Sequence, residues 1–143
     1  MNVKIKRFDK SILLPEYKTK GSVGLDMYTR LDMTIPAGKI GYIPLNVAVE
    51  FPDDCFSILA SRGSTHKLGL ILVNGIGIGD SDFKGDDDEY KFAGFNFMDK
   101  AVTIEKGTRI AQLLILSFDT VNLVEVDKMD NENRGSFGST GNK

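Results

Sequence analysis

The close spacing of turn-forming residues constrains this chain more than any other feature of its sequence. Short apolar or alternating runs recur from Val3 to Val126, and Gly, Pro, Asn or Asp separates most of them. Helical periodicity is nearly absent, and no internal repeat is visible. Many short strands joined by regular turns predict an all-β sandwich or barrel.

The predicted strands occupy most of the first 127 residues. A loop is expected around Pro15, and residues 61–67 form at most a single helical turn. The strands are predicted at residues 3–6, 22–28, 33–35, 39–43, 46–51, 56–60, 70–73, 90–97, 101–104, 109–118 and 121–126. We therefore expect one β domain over residues 1–127, followed by a tail over residues 128–143.

Length and charge exclude several classes of function. A chain of 143 residues is long enough for one domain that buries about two thirds of its unfolded surface. The net charge of −2 gives no electrostatic reason to expect nucleic acid as a partner, so any phosphate site must be built locally. No run approaches the length of a membrane span, and the first six residues lack the apolar core of a signal peptide.

The single cysteine bears on location. Cys55 has no intrachain disulfide partner, which fits a reducing, cytoplasmic compartment. Its apolar surroundings favour a small core residue over a nucleophile.

A glycine-rich stretch over residues 73–85 concentrates groups that bind nucleotides. Three glycines alternate with apolar residues and then meet the carboxylate of Asp80, and Phe83 adds an aromatic ring three residues later. Glycine lets the backbone approach a ligand closely, and a carboxylate can hold a water. A nucleotide pocket is one interpretation. A plain hairpin is the other, because Gly, Asp and Ser dominate turns for conformational reasons alone.

The most apolar strand, at residues 109–116, contains two polar residues. Arg109 and Gln112 either lie at a solvent-facing end or edge of the sheet, or point to the face opposite their apolar neighbours. For Gln112, the neighbours are Ala111 and Leu113, which should then share the buried face.

The tail over residues 128–143 differs in composition from the rest. It holds three Gly and three Asn, and its only aromatic residue is Phe137, so it cannot bury enough surface to fold alone. A frayed terminus is one interpretation of this flexible segment. Yet Arg134 could donate a bidentate pair of hydrogen bonds to a phosphate, and Phe137 could stack on a base, which would suit a lid.

Five segments in order carry a family resemblance across nearly the whole chain. They are GSVGLD at residues 21–26, SRGS at 61–64, NGIGIGDSDFKG at 74–85, GTRIAQL at 107–113 and RGSFGSTG at 134–141. The series resembles the trimeric dUTP pyrophosphatase (dUTPase) family. GDSDFKG is similar to that family's IDSDYxG, and GTRIAQL to its GxRIAQL.

The resemblance implies a fold, an assembly and a reaction. The fold would be a jelly-roll-like β-sandwich or barrel with a flexible glycine-rich tail. The assembly would be a homotrimer whose three active sites lie between subunits. The reaction would be hydrolysis of dUTP to dUMP and pyrophosphate with Mg²⁺, which limits dUTP and supplies dUMP for dTMP synthesis.

The resemblance also assigns roles to residues. Asp80 would be the general base that orients a water onto the α-phosphorus, and Asp26 would support the Mg²⁺ shell through water. Asn74 and the backbone at residues 77–79 would read the uracil, Phe83 would pack under the deoxyribose, and the tail would close over the ligand. The full set of expected substrate-binding residues is Ser61, Arg62, Gly63, Ser64, Asn74, Gly77, Ile78, Gly79, Phe83, Lys91, Gln112, Arg134, Phe137, Ser139 and Thr140.

The sequence departs from the family pattern in four places. If His66 and Lys67 fix the register, Ser61 stands where the family has Arg, and Arg62 is displaced by one residue, which in a strand reverses its face. A bulge at Gly63 would restore its direction. Phe83 replaces a Tyr, and the tail has two residues fewer between its Arg and its Phe. Residues 86–88 are an acidic insertion, which is either a solvated loop tip or a site for a second divalent ion.

Two other functions compete with dUTP hydrolysis. A dCTP deaminase shares the fold but needs an acid/base at the cytosine amino group and lacks the glycine-rich tail. A non-catalytic nucleotide-binding regulator has no chemical need for Asp80 beside Arg109, Gln112 and Arg134.

Overall fold

Short strands with almost no helix form the part of the chain that the computed structural model describes, residues 1–136. The strands are β1 Lys4–Arg7, β2 Leu25–Tyr28, β3 Met33–Ile35, β4 Ile40–Pro44, β5 Val47–Glu50, β6 Cys55–Ser61, β7 Leu70–Leu72, β8 Gly77–Gly79, β9 Lys91–Asn96, β10 Val102–Ile104 and β11 Arg109–Ser117. A 3₁₀ helix covers Thr65–Leu68 and overlaps the segment, residues 61–67, for which at most one helical turn was expected. The all-β prediction is confirmed.

The strands pair into four antiparallel sheets. The largest has the order β2-β11-β6-β8, and a three-stranded sheet has the order β4-β9-β7. Two further pairs, β1 with β5 and β3 with β10, complete the structure. Neighbours in these sheets are far apart in sequence, as in the jelly-roll-like architecture that was expected.

Alternating side chains from the sheets fill one core. Along β6 the buried positions are Cys55, Ser57 and Leu59, at the period of two that a half-buried strand requires. Phe92 and Leu113 are almost fully buried, and burying such a side chain contributes roughly 1.5–3 kcal/mol. Cys55 belongs to this core, as its apolar surroundings predicted.

A β-bulge interrupts β11 where it pairs with β2. Arg109 pairs with Tyr28 and Ala111 pairs with Met27, so one extra residue, Ile110, stands between adjacent ladder positions. Ile110 and Ala111 are consecutive and both fully buried. The bulge therefore shifts the alternation by one residue and brings Arg109 onto the same face as Gln112.

Two predicted strands differ from the structure. The strand expected from residue 22 begins only at Leu25, since Val23 is exposed. The strand expected at residues 121–126 is wrong: no ladder forms there, and Leu123 is 93% exposed. Its apolar alternation suits a strand, but no neighbouring strand among residues 1–136 pairs with it.

The sheets end at Ser117, about ten residues before the domain boundary that the sequence suggested. Within residues 1–136, no helix has the length and apolar character needed to cross a membrane.

Candidate active site

The first candidate cleft, the β8 cleft, opens beside the edge strand β8 and has a volume of about 410 Å³. It is lined by Leu59, Gly77, Ile78, Gly79, Asp80, Phe83, Glu89, Tyr90 and Lys91. Because β6 is the one strand within residues 1–136 that pairs with β8, half of the backbone amide and carbonyl groups of β8 face away from the sheet. Such an open edge offers donors and acceptors to a flat polar ring.

Glycine is required where β8 meets the cleft floor. A Cβ at Gly79 would lie 2.6 Å from the Tyr90 hydroxyl oxygen and would also collide with the Ser57 hydroxyl. No side chain fits there without displacing a buried group. The glycine of the GDSDFKG segment therefore keeps the backbone of β8 close to the cleft floor.

Asp80 and Phe83 stand at the lip of the β8 cleft. Asp80 follows the last residue of β8 and is exposed to solvent. The Phe83 amide donates to the Asp80 carbonyl over 3.1 Å, so a tight turn holds the ring close to the carboxylate. The Phe83 ring packs edge-to-face on Tyr90, with 5.5 Å between ring centroids. A carboxylate and an aromatic ring thus face one opening.

The second candidate cleft, the β2 cleft, has a volume of about 400 Å³ and a polar lining. It is lined by Lys18, Ser22, Val23, Gly24, Asp26, Arg62, Gly63, Ser64 and Gln112. Its charged residues are two cations and one carboxylate, so the lining suits an anion. Glu16 pairs with Lys18 and raises the pKa of that ammonium, which therefore stays charged at neutral pH.

Asp26 connects two arginines at the base of the β2 cleft. One carboxylate oxygen lies 2.9 Å from Arg62 Nε, and the other lies 2.9 Å from Arg109 Nη1. Arg62 also donates to the Arg109 carbonyl over 3.2 Å. Because both arginines are held by a mostly buried carboxylate, their remaining N–H groups are pre-oriented for an anion.

Gln112 is fixed by its backbone neighbours. Its side-chain amide donates to the Ser61 carbonyl over 3.0 Å. A Cβ at Gly24 would lie 2.7 Å from the Gln112 side-chain oxygen, so this glycine provides the space for Gln112. Ala111 and Leu113 are buried while Gln112 is half-buried, as the alternation predicted. The alternative of an end or edge position is wrong for Gln112, which lies within a central strand, whereas Arg109 does lie at an end, as the first residue of β11.

Arg62 reaches the cleft without the bulge that the sequence suggested at Gly63. The pairing of β6 with β11 is regular through Ser61, where the strand ends. Arg62 lies just beyond the ladder, so strand alternation no longer fixes its direction. The Asp26 carboxylate holds it instead.

The residues expected in the site divide between the two clefts. The expected base and sugar residues Gly77, Ile78, Gly79, Phe83 and Lys91 line the β8 cleft with Asp80, and Arg62, Gly63, Ser64 and Gln112 line the β2 cleft with Asp26. Ser61 contributes its carbonyl behind Gln112. Asn74 lies in an exposed turn outside the cleft lining, and Arg134 is exposed. Phe137, Ser139 and Thr140 lie outside the described residues.

Hydrogen bonds hold the acidic insertion, residues 86–88, within the loop before β9. The Asp88 carboxylate accepts the Gly85 amide over 2.6 Å, and Lys6 donates to the Asp86 carbonyl over 2.7 Å. Glu89 pairs bidentately with Arg30 at 2.8 and 2.9 Å. Within residues 1–136, no group of three acidic, His or Cys side chains is arranged to hold a metal.

Several residues in or beside the clefts were not on the list of expected site residues, and three of them bear on the chemistry: Arg109, Tyr90 and Lys18. Arg109 was recognised as a polar residue of the GTRIAQL motif but was given no role, and its partner Asp26 was expected to serve a metal. Tyr90 was assigned to a strand. Lys18 lies in a loop with no motif. No pattern in the sequence marked Tyr90 or Lys18 as part of a cleft.

These features define an all-β domain with one cleft whose lining suits an anion and a second cleft suited to a flat polar ring. The sequence model of the dUTPase family matches residues 10–141. The chain is 35% identical to the deoxyuridine 5′-triphosphate nucleotidohydrolase of Dictyoglomus turgidum, over 99% of both chains. It is 34% identical to the SPbeta prophage-derived deoxyuridine 5′-triphosphate nucleotidohydrolase of Bacillus subtilis, over the full length of both.

A solved structure shows the same fold. A mutant dUTPase of Staphylococcus bacteriophage 80alpha, with dUpNHpp, superposes with a TM-score of 0.85 at 23% identity and 98% coverage of both chains. The chain belongs to the dUTPase family.

Proposed function

We propose that this chain hydrolyses dUTP to dUMP and pyrophosphate. Family membership over nearly the whole chain carries the proposal, since relatives of the same length are named for this reaction. The position of Asp80 at the lip of the β8 cleft supports it, because a carboxylate there is open to water and substrate.

The β8 cleft binds the deoxyuridine in this proposal. The open backbone edge at Gly77, Ile78 and Gly79 would exchange hydrogen bonds with the uracil, with Asn74 and Lys91 at its margins. Phe83 would pack against the deoxyribose. A ribose hydroxyl against that ring would lose its hydrogen bonds to water, at a cost of roughly 1–3 kcal/mol.

The β2 cleft binds the triphosphate. Arg62 and Gln112 would donate to phosphate oxygens, together with the residues 63–64 loop and Ser61. Arg109 would act with them, since Asp26 aligns both guanidinium groups. Two charge-assisted donors held by one carboxylate lose little side-chain entropy on binding the substrate.

The residues of the β2 cleft fit a Mg²⁺ that arrives with the triphosphate. Mg²⁺ at nucleotide sites commonly keeps several waters and takes phosphate oxygens, so it needs few protein ligands. Each Asp26 oxygen accepts one arginine hydrogen bond and retains a lone pair for a metal-bound water. When bound, the ion would neutralise charge on the phosphates.

Asp80 supplies the chemistry at the α-phosphorus. Its carboxylate would accept a proton from a water as the water oxygen forms a bond to the α-phosphorus, while the bond to the bridging oxygen breaks and pyrophosphate leaves. A positioned general base contributes on the order of 10²–10⁴-fold. The tight turn that follows β8 would hold Asp80 beside the bound nucleotide.

A homotrimer completes the site in this proposal. Among residues 1–136, no residue lines both clefts, so one chain presents two half-sites. One face of the β4-β9-β7 sheet is also exposed and apolar at Ile40, Tyr42, Ile71 and Val73. A continuous exposed apolar face is typical of an interface.

The tail over residues 128–143 serves as a lid, with Arg134 on phosphate, Phe137 over the uracil, and Ser139 and Thr140 nearby. The enzyme is expected to act in the cytoplasm, on a free nucleotide, without nucleic acid or membrane as partner.

Pyrophosphate release from dUTP, dCTP and UTP tests the function. We expect release from dUTP well above that from the other two. Release of ammonia from dCTP would support the deaminase alternative, and no turnover of any nucleotide would support the regulator. Asp80→Asn should lower kcat for dUTP by on the order of 10² or more while binding is retained. Asp82→Asn, an exposed carboxylate in the same loop, is the matched control and should keep kcat.

A further inference from the structure

Tyr90 packs against Phe83, and hydrogen bonds fix both its backbone and its side chain. Tyr90 is 5% exposed, whereas Phe83 is 37% exposed. The Tyr90 amide donates to the Val47 carbonyl and its carbonyl accepts from the Leu45 amide, both over 2.9 Å. Its hydroxyl is 2.6 Å from the hydroxyl of Ser57, a fully buried residue of β6. Backbone and side chain therefore fix the ring.

Phe83, by contrast, projects from a loop. It follows the turn after β8 and belongs to no strand, and one side of its ring is open to the cleft. Its aromatic contact among the described residues is with Tyr90, at 5.5 Å between centroids and 83° between ring planes. An edge-to-face pair has a preferred geometry, so a ring fixed in the core orients a partner that projects from a loop.

We propose that Tyr90 is a positioning residue, whose ring holds Phe83 in the orientation that discriminates deoxyribose from ribose. The proposal rests on the proposed binding of deoxyuridine in the β8 cleft. Tyr90 touches neither the phosphates nor the attacking water in it. Gly79 belongs to the same arrangement, because a Cβ there would displace the Tyr90 hydroxyl.

The state of the hydroxyl is consistent with a structural role. Burial raises the pKa of Tyr90 and the charge of Asp80 raises it further, while the Ser57 hydrogen bond lowers it. The phenol therefore stays protonated across the range in which the protein would be assayed, and its bond to Ser57 persists.

A double-mutant cycle on nucleotide selectivity tests the proposal. Calorimetry gives the Kd of UMP divided by that of dUMP for the unsubstituted protein, Tyr90→Leu, Phe83→Ala and the double variant. We expect Tyr90→Leu to lower this ratio by about ten-fold. In the Phe83→Ala background the same substitution should leave the ratio unchanged within about two-fold, because Tyr90 acts through Phe83.

Tyr90→Phe separates the ring from the hydroxyl. It keeps the aromatic surface, so the selectivity ratio should stay within about two-fold of that of the unsubstituted protein. A larger loss would overturn the proposal. So would an equal effect of Tyr90→Leu with and without Phe83, since the residue would then act on its own. If Tyr90→Leu does not fold, Tyr90→Met fills similar volume without an aromatic face and takes its place.

The binding assay tests the role of Tyr90 and the hydrolysis assay tests the proposed function, so the two proposals can fail independently. A protein that prefers dUMP but does not hydrolyse dUTP would refute the proposed function and still decide the role of Tyr90. A protein that hydrolyses dUTP with an additive cycle would refute the role of Tyr90 alone. Equal affinity of the unsubstituted protein for UMP and dUMP would also overturn the role.

Discussion

Asp26 and Arg109 form an ion pair of 2.9 Å although they are not opposite each other in the ladder between β2 and β11. Asp26 is paired with Gln112, and Arg109 with Tyr28. Without the bulge at Ile110, Arg109 and Gln112 would point to opposite faces of the sheet. One inserted residue thus brings the Arg109 guanidinium to the same face of the sheet as the carboxylate and the amide that line the β2 cleft.

Asp26→Asn should uncouple the two arginines. The amide keeps the shape but cannot accept a charge-assisted hydrogen bond at both positions, and such bonds contribute roughly 1.5–3 kcal/mol. We expect kcat/KM for dUTP to fall by on the order of 10- to 100-fold, measured by steady-state pyrophosphate release. Asp99→Asn, an exposed carboxylate that lines neither cleft, is the control. Unchanged kcat/KM for Asp26→Asn would show that the arginines do not need it.

Gly24→Ala should disturb Gln112 without unfolding the protein. The new Cβ would lie 2.7 Å from the Gln112 side-chain oxygen and 3.0 Å from the Gln112 Cβ, so the side chain must rotate away from its bond to Ser61 and the bend at residue 24 must shift by a few tenths of an ångström. The KM for dUTP should rise several-fold while the melting temperature changes little. Gly21→Ala is a matched control, because its Cβ meets nothing within 4 Å. An equal rise in KM for both variants would argue against the role given to Gln112.

The sequence predicted the features that depend on local residue patterns. It missed those that depend on which strands pair and in which register. Buried Ala111 and Leu113 on either side of Gln112 follow from the period of two. The face of the sheet to which Arg109 points does not follow from this period. It depends on the bulge, which is defined by the register against β2, a strand more than eighty residues away. The strand expected at residues 121–126 failed for the same reason: its pattern is right, but a strand exists only with a partner.

Recognition of the motifs pointed to residues that line two clefts, but their division between those clefts is a property of the tertiary structure. Arg62 is the clearest case. With the motif aligned on Lys67, strand alternation predicted that Arg62 points to the opposite face of the sheet. That argument does not apply, because β6 ends at Ser61 and Arg62 lies beyond the strand. Tyr90 carried no motif, and its role is visible only once Ser57 and Phe83 are beside it.

Asp9 should make stability depend on acidic pH. Lys106 and Ser11 hydrogen-bond to its carboxylate and lower its pKa below the ordinary 3.8. A lowered pKa in the folded state stabilises the protein above the unfolded pKa, and this stabilisation is lost as pH falls through the folded value. Asp9→Asn should therefore melt below the unsubstituted protein at pH 7, and the gap should narrow below about pH 4. Lys106→Met should show the same trend, and a gap that widens in acid would contradict the assignment.

The proposed assembly should be visible in mass and in complementation. Light scattering should give three times 15.7 kDa, about 47 kDa. Asp80→Asn damages the β8 cleft and Arg62→Ala the β2 cleft, so each alone should be nearly inactive. If each site combines clefts from two subunits, co-refolded mixtures should regain roughly a quarter of the activity, because each cleft is intact with a chance of one in two. No recovery would mean that both clefts of a site belong to one chain.

Removal of the residues after Asn133 should separate folding from turnover. The described residues beyond Ser117 belong to no sheet and are exposed, so the truncated protein should melt at nearly the same temperature. The tail would exclude bulk water from the α-phosphate when closed, which strengthens the electrostatics around the water held by Asp80. We therefore expect deoxyuridine binding to persist weakly while kcat falls by roughly ten-fold or more. Phe137→Ala in the full chain should give a milder loss of kcat. A truncated protein that hydrolyses dUTP as fast as the full chain would leave the tail as a frayed terminus and would contradict its proposed role as a lid.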